Sequence, residues 1–273
     1  MREEFRHSKA LGQNFLIDKN IPEKIVRLSG IDGSCGVLEI GPGEGALTSV
    51  LCRAAGRVVA VELDRRLIPL LNEKFAMHQN VEVVQGDILK LDIKELVCGR
   101  MPGLRHWVCA NLPYNISTPV ISLLIESHIF ESMTVMLQRE VARRICAEPG
   151  SPDYSAFSVY VNYHAEPEIL FDVPPECFMP RPKVFSSVLL IRARSDRLLA
   201  QEVEKVFFRV VRAAFGQRRK TLVNALHSVF GNSLSKAAIE GFVIDCGFGA
   251  NVRGETIGVE GFTKLALYLG SRV

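Results

Sequence analysis

Short apolar, β-branched runs recur through the first two thirds of the sequence, each followed by a helix-like or loop segment, and no other feature restricts the fold as much. The runs are Gly36 to Ile40, Val58 to Val61, Val81 to Val84, Trp107 to Ala110, Met133 to Gln138, Val159 to His164 and Ser187 to Arg192. Helical crossovers between the early runs imply parallel neighbours. The last two runs are separated by Pro167, Pro174, Pro175, Pro180 and Pro182 rather than by a helix, so they are expected to pair antiparallel at one edge. After Ser195 the period changes. Val203, Val206, Phe207, Val210 and Val211 recur at helical spacing, and Leu222, Leu226, Leu234 and Leu265 continue it. The expected architecture is α/β with a mainly parallel sheet over residues 1–195, then a small all-helical domain over residues 196–273.

Composition removes several classes. With 48% hydrophobic and 23% charged residues among 273, the chain is neither disordered, collagen-like nor a coiled coil. No apolar run reaches the roughly 18 residues of a membrane span, and the charged start from Met1 to Lys9 has no apolar stretch behind it. Neither a membrane partner nor an export signal is expected. The seven cysteines are scattered and form no C-x-x-C pair, which argues against a disulfide framework or a zinc site and for a reducing cytoplasm.

The net charge of +3 hides an uneven distribution. Between Met179 and Ile239, 12 Lys or Arg stand against three acids, Asp196, Glu202 and Glu204, and no acid occurs from Lys205 to Ile239. Such a field attracts a phosphate polymer. A solvated helix face balanced by other parts of the fold gives the same pattern.

The segment Val37-Leu38-Glu39-Ile40-Gly41-Pro42-Gly43-Glu44-Gly45 reads as a buried strand running into a tight glycine turn. Dinucleotide sites use G-x-G-x-x-G, whereas here the third glycine comes one position early. That spacing, with Glu39 inside the strand end, suits a ligand without a diphosphate. Two later strand ends also carry acids. Glu62 can accept both hydroxyls of a ribose, and Asp87 can accept an adenine amino hydrogen. Taken singly, each is equally an acid at an exposed strand end.

Asn111-Leu112-Pro113-Tyr114 after the fourth run is the most specific motif. An exocyclic adenine amine is a poor nucleophile because its lone pair is delocalised into the ring. Two acceptors, the Asn111 side-chain oxygen and the Pro113 carbonyl, can hold the amine pyramidal and direct the lone pair at a sulfonium methyl, so that position and preorganised charge supply the catalysis. Tyr114 offers a face on which an extruded base can stack. This chemistry needs no metal and no covalent nucleophile.

With these motifs in place, the chain resembles the ribosomal RNA adenine dimethyltransferases that act on the small subunit. The match spans Lys9 to about Ala225: Leu11-Gly12-Gln13-Asn14-Phe15-Leu16, Glu39-Ile40-Gly41-Pro42-Gly43, Glu62, Gly86-Asp87, Asn111 to Ser117, Phe178-Met179-Pro180-Arg181-Pro182-Lys183-Val184, and Phe215 to Thr221. The resemblance implies a Rossmann-like fold and S-adenosylmethionine as the only cofactor. It implies that Asn14 and Leu16 close over that cofactor while Gly41, Gly43, Glu62, Asp87 and Asn111 line its site. It also implies that Phe178 forms a second wall opposite Tyr114, with Leu112 and Pro113 completing the catalytic loop. The alternative for Phe178 is a core phenylalanine.

The implied activity is dimethylation of two adjacent adenosines near the 3′ end of 16S RNA, in immature 30S particles, by a cytoplasmic monomer. Arg181, Lys183, Arg212, Arg218, Arg219 and Lys220 are the expected RNA-backbone contacts. Two other functions stay open at this point. One is the related large-subunit (23S) adenine methyltransferase that confers macrolide resistance. The other is a mainly non-catalytic factor that docks on immature 30S particles as an assembly checkpoint.

Overall fold

The computed structural model describes residues 14–195, 198–217 and 219–270. A short strand, β1 (Phe15–Leu16), leads through α1 (Asn20–Ser29) into four strand–helix repeats. These are β2 (Cys35–Ile40) with α2 (Thr48–Ala54), β3 (Arg57–Glu62) with α3 (Leu67–Phe75), β4 (Val81–Gln85) with α4 (Ile93–Arg100), and β5 (Arg105–Asn111) with α5 (Ser117–Ser127). Then come β6 (Ser132–Gln138), α6 (Arg139–Ile145), α7 (Ala156–His164), β7 (Ala165–Val173), β8 (Phe178–Met179) and β9 (Ser186–Ala193). Four helices follow: α8 (Gln201–Gly216), α9 (Leu222–Phe230), α10 (Lys236–Asp245) and α11 (Val259–Gly270).

Seven strands form one sheet in the order β4-β3-β2-β5-β6-β9-β7, and β1 pairs with β8 in a separate ribbon. From β4 to β6 every neighbour is parallel, as the crossovers require. All six residues of β2 are buried, as in a strand covered on both faces. The chain runs from β2 toward β3 on one side, whereas β5 lies on the other. Such a reversal of winding leaves a crevice at the carboxyl ends of the strands, and Glu39, Glu62 and Asn111 stand at those ends.

The run Val159 to His164 is not a strand; it is the body of α7. Its alternating burial, with Val159, Val161 and Tyr163 inside, misleads a period-two reading. The deciding signal is the reciprocal cap, in which the Ser158 amide donates to Ser155 Oγ at 3.3 Å and the Ser155 amide donates to Ser158 Oγ at 3.0 Å. The edge strand starts one residue after the run ends, as β7, and β9 lies between it and β6.

The chain divides into two compact units, one of Met1–Ala142 with Pro167–Ala193 and one of Arg143–Glu166 with Arg194–Val273. The second therefore takes in α7 as well as the C-terminal helices. Its core gathers Val159, Tyr163, Phe207, Val210, Leu222, Leu226, Phe262 and Leu265. The buried Tyr154 hydroxyl donates to the Ile257 carbonyl at 2.9 Å, which satisfies its one polar atom.

Candidate active site

A cavity of about 320 Å³ opens at the carboxyl ends of β2, β3, β4 and β5. It is lined by Asn14, Leu16, Gly41, Gly43, Glu62, Asp87, Asn111, Leu112, Pro113 and Tyr114, so it gathers every expected cofactor and loop residue except Phe178.

The glycine turn forms its floor. Gly41 has φ 68° and its amide donates to the Val61 carbonyl at 2.9 Å, which ties the turn to β3. Gly43 has φ 58°, and a Cβ there would lie 2.8 Å from the Phe15 ring, so glycine is required by conformation and by space. Glu62 braces the same turn. Its Oε2 accepts from the Gly43 amide at 3.1 Å and its Oε1 from the Asp64 amide at 2.8 Å. Burial raises the carboxyl pKa against these two opposing bonds. Each oxygen keeps a further lone pair. Asp87 caps a single turn of 3-10 helix, accepting from the Leu89 amide at 3.1 Å, with Lys90 Nζ 3.5 Å from its other oxygen.

Glu39, absent from the expected site residues, lines the same cavity at 1% exposure. Its Oε2 has no hydrogen-bond partner, nor has the neighbouring Thr48 Oγ1. Desolvation raises the Glu39 pKa to about 8, with the nearby Glu62 charge adding to the effect. The acid read from the sequence at this strand end is thus a cavity residue, although no contact was assigned to it. Lys74 was not among the expected residues. It borders the cavity and donates to the Glu44 carbonyl at 2.7 Å.

On the opposite side, Asn111 Nδ2 donates to the Asn14 carbonyl at 3.1 Å. That bond fixes the amide and leaves Oδ1 as its acceptor. The Leu112 amide donates to the Met136 carbonyl at 3.0 Å, and the Pro113 carbonyl accepts from the Ile116 amide at 3.2 Å, using one of its two lone pairs. Tyr114 is half-buried, with its Oη 2.7 Å from Ser186 Oγ. Burial raises its phenol pKa, so it stays protonated at neutral pH.

Phe178 does not line the cavity. It is 2% exposed and belongs to a core cluster with Ile25, Val26, Trp107 and Val188. Leu16 of β1 pairs across it. Among the expected RNA contacts, Arg181 and Lys183 are exposed in the first unit, and Arg212, Arg219 and Lys220 are exposed in the second. Arg181 lies 3.4 Å from Glu176, an exposed pair of little energetic weight. Arg218 lies outside the described residues.

Comparison with known proteins settles the family. The sequence model of the family described as ribosomal RNA adenine dimethylase matches residues 4–251. The chain belongs to that family. A relative from Lachnoclostridium phytofermentans, named ribosomal RNA small subunit methyltransferase A, is 45% identical over 97% of this chain and 92% of its own. One from Caldanaerobacter subterraneus with the same name is 43% identical over 96% and 97%. Among solved structures, a dimethyladenosine transferase from Plasmodium falciparum superposes with a TM-score of 0.80 at 25% identity, covering 94% of this chain and 98% of that one. The 23S rRNA methyltransferase ErmE superposes at 0.75 and 27%, covering 94% and 99%. The two solved structures share the fold, and the family is one of methyltransferases acting on RNA adenine. Among the described residues no group of three His, Cys, Asp or Glu could hold a metal, and no helix is long and apolar enough to cross a membrane.

Proposed function

We propose that this chain transfers methyl groups from S-adenosylmethionine to the N6 amines of two adjacent adenosines near the 3′ end of 16S RNA, giving N6,N6-dimethyladenosine in immature 30S particles. The observation that carries the reading is the fixed Asn111 amide. With Nδ2 committed to Asn14, its Oδ1 is the atom left to accept from an adenine amine at a cavity that Tyr114 also borders.

The cavity suits a cationic cofactor. Glu62 and Asp87 border it, and Glu39, held largely protonated at neutral pH by burial, adds an Oε2 with no hydrogen-bond partner. Gly41 and Gly43 both hold the turn at positive φ, and a Cβ at Gly43 would displace the Phe15 ring that lines the cavity. When bound, the cofactor supplies a methyl group on a positively charged sulfur. Glu62 would accept from ribose hydroxyls through its remaining lone pairs, and Asp87 from the cofactor's adenine. Asn14 and Leu16 would close the cavity from the N-terminal side. Asn111 Oδ1 and the second lone pair of the Pro113 carbonyl would hold the two amine hydrogens of the target. Leu112, 1% exposed, anchors the loop between them. The Tyr114 ring would carry the extruded base. After transfer the alkylated amine is strongly acidic and loses its proton without a dedicated base.

The exposed Arg181, Lys183, Arg212, Arg219 and Lys220, together with Arg218, would contact RNA phosphates, with the helical domain as the main RNA-binding part. A monomer acting in the cytoplasm fits these roles. Relatives 41–45% identical carry the small-subunit name, which favours 16S over 23S RNA. The test is mass spectrometry of 16S and 23S RNA after incubation of unmethylated ribosomal particles with isotope-labelled cofactor. Two adjacent dimethyladenosines in 16S RNA are expected. Label in 23S RNA, or none in either, would overturn the reading.

A further inference from the structure

The loop that meets the target base does not hold its own tyrosine in place. Tyr114 Oη bonds Ser186 Oγ at 2.7 Å across 72 residues of sequence. Ser186 opens β9, whose following residues Val188, Leu189, Leu190 and Ile191 are the apolar side chains a central strand calls for. Two serines at its start, both fully buried, are out of keeping with that pattern, because a buried hydroxyl is costly unless partnered. Each is partnered outside its own strand. Ser187 Oγ donates to Asp172 Oδ1 at 2.5 Å, and Asp172 lies 3.7 Å from the Arg139 guanidinium. Arg139 in turn covers the Phe185 ring at 4.6 Å, and its amide donates to the Phe185 carbonyl at 3.0 Å. Antiparallel pairing sets Ser186 opposite Gln138 and Ser187 opposite Leu137. Residues 185–187 are thus held from both sides, and the Ser186 hydroxyl meets the tyrosine.

A tyrosine side chain has two torsions. The second torsion turns the ring about an axis that runs through its hydroxyl oxygen, so a bond at that oxygen leaves this turn free but fixes where the far end of the ring lies, and with it the first torsion. We infer that Ser186 is a positioning residue for methyl transfer: by holding the Tyr114 hydroxyl it fixes where the ring on which the target adenine stacks stands in the cavity, and so the aim of the amine. The inference rests on the adenine reading above and adds a residue from a remote strand to that site. Misplacement of a reacting group by about 1 Å costs on the order of a hundredfold in rate, and a ring released at one end moves less than that.

Ser186→Ala, Tyr114→Phe and the double variant test it, because Tyr114→Phe keeps the stacking face and removes only the bond. Three quantities are read: calorimetric affinity for S-adenosylhomocysteine, and kcat and KM for methylation of unmethylated 30S particles. The expected result is homocysteine-product affinity within about twofold of the parent chain in every variant. Each single variant should lose about tenfold in kcat with a smaller change in KM, and the double variant should be no slower than the slower single. A Ser186→Ala kcat equal to the parent's, single losses that multiply in the double, or loss of product binding in Ser186→Ala would each overturn the inference. Absence of 16S methylation by the parent chain would instead overturn the adenine reading itself.

Discussion

The two sides of the cavity are built in different ways. On the side of β2, β3 and β4, main-chain turns and carboxylates make the wall, and the brace from Gly43 to Glu62 spans 19 residues. On the side of β5, β6 and β9, side chains make the wall, and its brace from Tyr114 to Ser186 spans 72. The first side is a local device that a strand, a turn and the next strand can form together. The second exists only after an antiparallel strand has been inserted beside β6.

Substitutions can break this contrast. Asn111→Ala should have the largest effect, a loss of roughly a hundredfold to a thousandfold in kcat, because it removes an acceptor needed in the transition state. Binding of the chain to 30S particles, measured by sedimentation, should be retained. If binding were lost with activity, the two sides would not be separable. On the other side, Gly43→Ala forces a side chain into φ 58° against the Phe15 ring. It should weaken cofactor affinity by about tenfold and cost about 1–3 kcal/mol of stability. Gly103, with φ 75° and open space around it, is the matched control. Gly103→Ala should cost stability in a thermal melt but leave cofactor affinity unchanged.

A charge test separates the cavity from the RNA surface. Replacing Arg218, Arg219 and Lys220 together with glutamine should weaken 30S binding by about tenfold and flatten its salt dependence. Cofactor affinity, read by calorimetry, should not move.

A pH test concerns Glu39. Its carboxyl pKa is raised by burial from 4.5 to about 8 in the folded chain. The folded state therefore holds this proton more tightly, and the resulting stability is fully present below pH 4.5 and declines as pH rises through 8, by roughly 1 kcal/mol per pH unit in between. Glu39→Gln, which cannot ionise, should flatten this decline in melts without cofactor between pH 6 and 9. An unchanged pH profile would mean that Glu39 is ionised throughout that range.

The same contrast explains what was legible in the sequence. The glycine turn and Asn111-Leu112-Pro113-Tyr114 are contiguous, and their chemistry can be read from residue types alone. The parallel strands were legible because buried β-branched runs alternate with helices. Val159 to His164 was misread because its burial alternates within a helix, and the Ser155–Ser158 cap outweighs that pattern. The burial of Phe178 was not legible, because its neighbours in sequence point to a loop, whereas pairing with Leu16 buries it. Ser186 gave no local signal as a member of the site. Its role depends on Tyr114, which only the folded sheet brings within reach.

The order of synthesis acts on these two closures differently. Gly43 and Glu62 leave the ribosome together with little chain between them, whereas Tyr114 must wait for Ser186. Closing the longer loop also costs about 1 kcal/mol more in chain entropy. A growing chain can thus complete its cofactor cradle while the mount for the target base is still untranslated, and a product truncated before Ser186 would lack that mount.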